Sequence, residues 1–246
     1  MPIPPGAQQA LTAPDYETVR DYLRANSGLP GPRSNLELLG LAGELLGAGH
    51  AARLRAEAEE YLRSCGVLRL ARTLLEADQP EPVIAELTGF AADDSWRVRE
   101  SAAMAGQRVG DADPVLLRRL VTGWVGDPDP LVVRAAIATI CEPRLLRTPE
   151  AAGFALATCR AATDALLAVP AERRREPAVR TLRQALGYCW SVAVAADPAG
   201  LPEFLALGGW GDPSTGSGIE PGAGIDPDVA WIVRENRGKA RLKKLL

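Results

Sequence analysis

The chain carries Asp93-Asp94-Ser95-Trp96-Arg97-Val98-Arg99-Glu100-Ser101-Ala102-Ala103-Met104, and its outline returns as Asp127-Pro128-Asp129-Pro130-Leu131-Val132-Val133-Arg134-Ala135-Ala136-Ile137. Counted from Asp94 and from Asp129, each copy places Val four residues on and Arg five residues on, followed by small or branched apolar residues. The copies stand about 35 residues apart, a spacing found in helix-pair repeats. An Asp just ahead of an apolar-periodic segment suits an N-cap, because its carboxylate accepts from free backbone donors at the positive end of the helix dipole. Val98, Ala102, Ala105 and Val109 then recur at helical spacing and make one apolar stripe. Small residues allow neighbouring helices to approach closely, and the Arg after the Asp projects near the helix start, where in a stack it meets the Asp of the next repeat.

At these residues the chain resembles the HEAT-repeat family of α-solenoids, in which an Asp and a Val-Arg pair open the inner helix of each helix pair. The resemblance is strongest at 93–104 and 127–138. It implies an all-α, right-handed α-solenoid of antiparallel helix pairs, armadillo-like in class, with the inner helices lining a concave face. It implies a binding surface and no particular chemistry.

Composition agrees with packed helices. Of 246 residues, 47% are hydrophobic and only 5% aromatic, with Ala and Leu dominant and no convincing run of alternating β-branched residues. A formal net charge of −3 argues against a general nucleic-acid coat or a strongly basic membrane binder. The charge is unevenly spread: residues 1–95 carry 8 Arg, no Lys and 14 acids, whereas 96–246 carry 20 basic residues and 17 acids. The halves thus stand at −6 and +3, and the second half could present a basic face. Cys65, Cys141, Cys159 and Cys189 are far apart in sequence, form no CxxC pair and sit among apolar neighbours, which fits free buried thiols in a reducing cytoplasm. The N-terminal residues lack a signal-peptide pattern, and no apolar span reaches membrane length. A soluble, cytoplasmic protein is expected.

Taken in order, residues 1–13 read as a loose leader and 14–246 as a single solenoid domain. Helices are expected at about 15–25, 36–47, 51–64, 66–77, 81–92, 94–109, 114–126, 129–141, 149–168, 176–196, 201–207 and from 228 onward. Pro30 and Pro32 in Ser27–Asn35 break any helix, so that stretch is a rigid connector or a turn with a specific role. His50, the only histidine, is expected between two helices, as a helix-end residue, and alone it excludes a multi-histidine metal site. Arg173, Arg174 and Arg175 form either a solvated corner or a phosphate grip. Residues 208–226 are rich in Gly, Pro and Ser and read as a flexible loop. Its glycine clusters follow no strand, so they make no dinucleotide site. The last helix ends in a basic run that also suits the helix dipole.

There is no GxSxG elbow, zinc set or phosphate loop in the sequence. The sharper candidate is Trp96 with Glu100, four apart and so on one helical face. Arg97, Arg99, Arg134 and Arg183, with Trp190, are the candidates to join them in a groove. This set resembles the HEAT-like alkylpurine DNA glycosylases, which line a concave face with an Asp, an Arg and tryptophans, and here Glu100 stands where that family has Asp. The resemblance implies Glu100 as the catalytic residue with Trp96, Arg134 and Trp190 as binding residues, and Arg97, Arg99 and Arg183 are further binding candidates if they point into the same positive groove. Trp-x-Val-Arg-Glu also serves plain packing, with Trp in an inter-helix seam and Glu paired to Arg. The expected function is a non-catalytic binding or scaffold protein whose groove, centred on the inner helices, takes up a protein or peptide segment or another extended partner. A DNA-repair protein that binds or excises alkylated bases is the alternative, and neither reading calls for a cofactor, a metal or a membrane.

Overall fold

The computed structural model describes residues 1–209 and 224–246, and among these the regular structure is helical, with no strand. The helices are α1 (Ala7–Leu11), α2 (Tyr16–Ala25), α3 (Leu36–Leu45), α4 (Ala48–Arg55), α5 (Glu60–Leu68), α6 (Leu70–Leu75), α7 (Glu81–Ala91), α8 (Trp96–Ala112), α9 (Pro114–Val125), α10 (Pro130–Ile140), α11 (Pro149–Ala168), α12 (Pro177–Ala196), α13 (Leu201–Leu207), α14 (Pro227–Arg237) and α15 (Ala240–Lys243). Where the sequence suggests one domain from 14 to 246, the chain divides into two compact units, 1–117 and 118–246, with the boundary inside α9. The loop expected at 208–226 falls, from 210 to 223, outside the described residues. None of the described helices is long and apolar enough to cross a membrane.

In the first unit α3, α5 and α8 pack in that order, with α4 against α5, α7 against α8, and α1 against α2 and α3. In the second, α12 packs against both α10 and α14, α11 covers α10 and α12, and α13 touches α12 and α14. A shared start unites α3, α5, α8, α10, α12 and α14. The third residue of each helix is a branched aliphatic side chain, Leu38, Leu62, Val98, Val132, Val179 and Val229 in turn, and all six are buried. Each such side chain contributes on the order of 1.5–3 kcal/mol by leaving water.

The caps fix the register of the repeat at 34 residues, not the 35 suggested by matching arginines. Asp93 accepts the backbone N–H of Ser95 at 2.8 Å, and Asp127 accepts that of Asp129 at 2.8 Å. Ser95 and Asp129 are the two N-caps. Val98 therefore matches Val132, Arg99 matches Val133, and Arg134 falls where α8 has Glu100.

A further copy, which the sequence hides, opens α5. Arg63 donates to the carbonyls of Glu57 and Ala58, at 3.0 and 3.1 Å, as Arg99 donates to those of Asp93 and Asp94, at 2.6 and 2.9 Å. The helix expected over 51–64 is thus broken at 56–59, where Glu57-Ala58-Glu59 takes the place of Asp93-Asp94-Ser95. The expected meeting of an Arg with the Asp of the next copy occurs here: Arg63 holds both oxygens of Asp93 at 3.1 Å.

Three other expectations are corrected. The supposed loose leader holds α1, whose Ala7 and Leu11 are buried, and Tyr22 pins the preceding chain by donating to the carbonyls of Pro4 and Pro5. His50 lies within α4, not between helices, with its ring 5.8 Å from that of Tyr16. The stretch expected as one helix over 66–77 is interrupted at Arg69, a buried guanidinium whose Nε donates to the carbonyl of Leu46 at 2.8 Å.

In the second unit the arginine turn serves structure. Arg174 donates to the carbonyls of Val169 and Leu167 and pairs with Asp226, the N-cap of α14, while Arg173 pairs with Glu176. Close approach of α12 and α14 depends on Gly187, where a Cβ would stand 2.8 Å from the Trp231 ring. Buried Asn236 sews the same two helices, donating to the Leu186 carbonyl and accepting from the Ser191 N–H, both at 2.8 Å.

Candidate functional site

The starts of α5 and α8 converge in the first unit through charged side chains. Glu60, first residue of α5, accepts from Arg97 Nη1 at 2.6 Å with one oxygen and from Ser95 Oγ at 2.6 Å with the other. Glu59, the N-cap, accepts from Arg24 Nε at 2.7 Å. Tyr61 donates its hydroxyl to the Asn35 carbonyl at 2.8 Å, which fixes the start of α5 against the start of α3. Burial pushes the Tyr61 phenol far above its ordinary value, so it stays a neutral donor.

These groups border a pocket of about 470 Å³. One wall is the turn expected either as a connector or in a specific role: Ser27, Leu29, Pro30 and Gly31. The Leu29–Pro30 bond is cis, and Gly28 beside it has φ +78°, a conformation that glycine adopts without a Cβ penalty. Ser27 braces the turn by accepting from Leu29 N–H at 3.1 Å. The other wall is the first turn of α5 with Arg97. The first-turn N–H groups of a helix have no intrahelical partners, and at α5 no side chain caps them.

Arg97 is the hinge between this pocket and the surface. Its guanidinium lies 4.6 Å from the centroid of Trp96, within cation–π range, and Trp96 is 58% exposed. The Arg97 Nε is buried and has no hydrogen-bond acceptor. Trp96 thus lies outside the inter-helix seam, and Glu100 follows one turn along α8, half-buried.

The other sequence candidates are placed as follows. Arg99 is engaged by the two backbone carbonyls ahead of its helix. Arg183, in the second unit, pairs with Asp228 at 2.6 Å and stacks over Trp231 at 3.8 Å. Arg134 is half-buried on α10. Trp190 is only 1% exposed: its indole N–H donates to Thr163 at 3.0 Å and its ring lies 5.3 Å from that of Phe204. It is a core residue of the second unit and offers no face to a groove, a correction to its expected role. Trp96, Arg97, Arg99 and Glu100 belong to the first unit, and Arg134, Arg183 and Trp190 to the second.

Sequence reading missed Arg24, Glu59, Glu60 and Tyr61. The available signal was the six-residue step from Glu57 to Arg63, which repeats the step from Asp93 to Arg99 and places Glu60 where α8 has Trp96.

The second unit brings three cysteines, one from just past the end of α10 and one each from α11 and α12, into one interior. Cys141 and Cys159 sulfurs stand 3.5 Å apart, and Cys189 also acts on the Cys141 thiol. All four cysteines are free and buried, and the Cys65 thiol is raised by burial. Among the described residues no three His, Cys, Asp or Glu side chains form a group that could hold a metal ion. Compared with known proteins, the chain matches no family model and no curated protein.

Proposed function

We propose that the chain is a HEAT-like helical-repeat scaffold that binds an extended protein segment along the inner-helix starts of its first unit. In this reading the helices α3, α5 and α8 are successive inner helices of antiparallel pairs, and their starts form the binding edge. The observation that carries it is Trp96: a large aromatic side chain left mostly in water, backed by an arginine and set beside a pocket. Tryptophan and arginine in that arrangement are the side chains that dominate protein interfaces. The carboxylates that line the pocket, Glu59 and Glu60, are each paired with an arginine, which supports binding over catalysis.

The alternative, a protein resembling the alkylpurine DNA glycosylases, is supported by Trp96 and Glu100 sharing a face of α8. Against it, Arg97 and Arg183 are each paired with a carboxylate and Arg99 with carbonyls, leaving little free charge for phosphate.

The test is selection of a random dodecapeptide display library on the full chain, followed by affinity measurement of the selected peptides on Trp96→Ala. The scaffold reading expects a loss of roughly tenfold or more with no change in melting temperature. Peptides that bind both proteins equally, or no selection at all, would count against it. Steeply salt-dependent binding to duplex DNA carrying an alkylated base would favour the alternative.

A further inference from the structure

The positive charge of the second unit gathers at its last two helices. Residues 234–244 hold six basic side chains and one acid, a local charge of +5 in a chain whose total is −3. Arg234 and Arg237 lie in the last turn of α14, where the helix dipole favours a cation. That account does not reach Lys239, Arg241, Lys243 and Lys244, which are spread over both ends of the four-residue α15. Nor is the run a loose tail: Leu242, within α15, is fully buried, and the Lys239 carbonyl accepts from the N–H groups of Leu242 and Lys243. The cations are therefore held at fixed places, with Lys239 and Lys243 four residues apart on one face of the turn. Among the described residues, Arg234, Lys239, Lys243 and Lys244 have no carboxylate within ion-pair reach.

Beside these charges stands an aromatic ring open to water. Tyr188, on α12, is 47% exposed; its hydroxyl accepts from Arg241 Nη2 at 2.8 Å, and the Arg241 guanidinium lies 4.8 Å from the ring centroid. Where Arg183 stacks on Trp231 the cation is already neutralised by Asp228, whereas Arg241 has no carboxylate of its own among the described residues. We propose that this end of the second unit is a binding surface for single-stranded nucleic acid, with phosphates on Lys239, Arg241, Lys243 and Lys244 and a base stacked on Tyr188. Two features select that ligand from other polyanions. Cations held together without counter-charges repel one another, and a backbone with one phosphate per nucleotide relieves several of them at once. An exposed ring beside an arginine offers a base a stacking face, which a glutamate side chain or a lipid headgroup does not use, and only an unpaired strand leaves its bases free to take it. With +5 here and −3 in total, the remaining residues carry −8, so attraction is confined to this surface and a short stretch of strand suits it better than a long duplex. The surface shares no residue with Trp96 and Glu100, and it stands whether or not the first unit captures a peptide.

The probes are three fluorescein-labelled dodecamers of closely matched charge: oligothymidylate, the same strand with every base removed, and polyglutamate. Binding to the full chain is read by fluorescence anisotropy between about 50 and about 200 mM salt. Oligothymidylate is expected to bind roughly tenfold tighter than the baseless strand or polyglutamate, in keeping with the worth of one stacked base. Tyr188→Ala is expected to remove that advantage and to leave binding of the baseless strand unchanged. Lys243→Ala combined with Lys244→Ala should weaken both strands and lower the slope of log affinity against log salt by about 1.4, the share of two phosphates on a single strand. Both variants replace exposed side chains, so their melting temperatures should match that of the unaltered chain. Equal affinity for the three probes, a base-dependent advantage that survives Tyr188→Ala, or a salt slope unmoved by the lysine variant would overturn the surface. So would tighter binding to polyglutamate or to phosphatidylserine vesicles than to oligothymidylate, or no binding at low salt.

Discussion

The first turns of α8 and α10 start from one frame and end in different surfaces. Each follows an Asp that accepts an N–H two residues on, and each buries a valine at its third position. Between those shared points α8 places Trp96 and Arg97, whereas α10 places Pro130 and Leu131. The proline pre-sets the helical backbone and gives up an N–H that had no partner, so at α10 the position serves the helix. At α8 it serves the surface. The pockets differ in the same sense. A pocket in the second unit, about 290 Å³, is bordered by Pro128, Pro130, Val133, Ala165 and Ala168, with few charged groups. Positions held constant between copies carry the fold, and positions released from it are where function is to be sought.

The widest separation between the two kinds of position lies in the tryptophans. Trp190→Ala is expected to cost about 3–5 kcal/mol in urea unfolding of the second unit, as for other buried aromatic truncations. Trp96→Ala should stay within about 0.5 kcal/mol, as surface substitutions do. Similar costs at both would erase the division between core and surface.

Next in size is the shared valine. Val98→Ala and Val132→Ala are each expected to destabilise by about 2 kcal/mol, from lost burial and the cavity left behind. A large cost at one and none at the other, in the same denaturant titration, would mean the 34-residue register is wrong.

Alkaline pH should separate the units. Tyr16 donates to Glu57 at 2.7 Å, and burial together with that acceptor raises its phenol from the ordinary 10.0 to about 12. Tyr22 and Tyr61, also in the first unit, are raised by burial as well. A folded-state pKa above the unfolded one favours the protonated fold. The stabilisation is complete below about pH 10 and is lost as pH rises through about 12, on the order of 2 kcal/mol for Tyr16. Tyr16→Phe should flatten that decline, measured by thermal melts of the first unit's signals across the range.

The smallest expected effect sharpens the caps. Asp129 accepts from Leu131 N–H at 2.8 Å, so Asp129→Ala should cost about 1 kcal/mol. Ser95 makes no such bond to α8, and its hydroxyl is committed to Glu60. Ser95→Ala should therefore spare α8 and instead weaken peptide capture by loosening Glu60. Equal helix loss in both variants, read by circular dichroism, would show that the two starts are capped alike.

Helix positions were legible from sequence wherever Asp or Pro marks a start: α11 and α13 span the residues expected, and α8, α9 and α10 differ by one to three residues at their ends. The start of α5 was not, because Glu57-Ala58-Glu59 does the same work without those residues and because the alanine-rich stretch before it continues a helical pattern. The depth of a tryptophan was not legible either. Trp96 and Trp190 both sit on amphipathic helices, and only the packing of Phe204 and Thr163 around one of them decides which is core. The pocket was out of reach because its walls come from segments about 30 residues apart, each ordinary alone.

The Arg63 contact runs in one direction: it grips its own strand of backbone behind and the carboxylate of the following copy ahead. A segment spanning Arg63 to Asp93 that was duplicated in tandem would carry both halves of that clasp, one for each neighbour. A chain fastened this way can gain or shed length in whole steps during evolution without a new joint being invented.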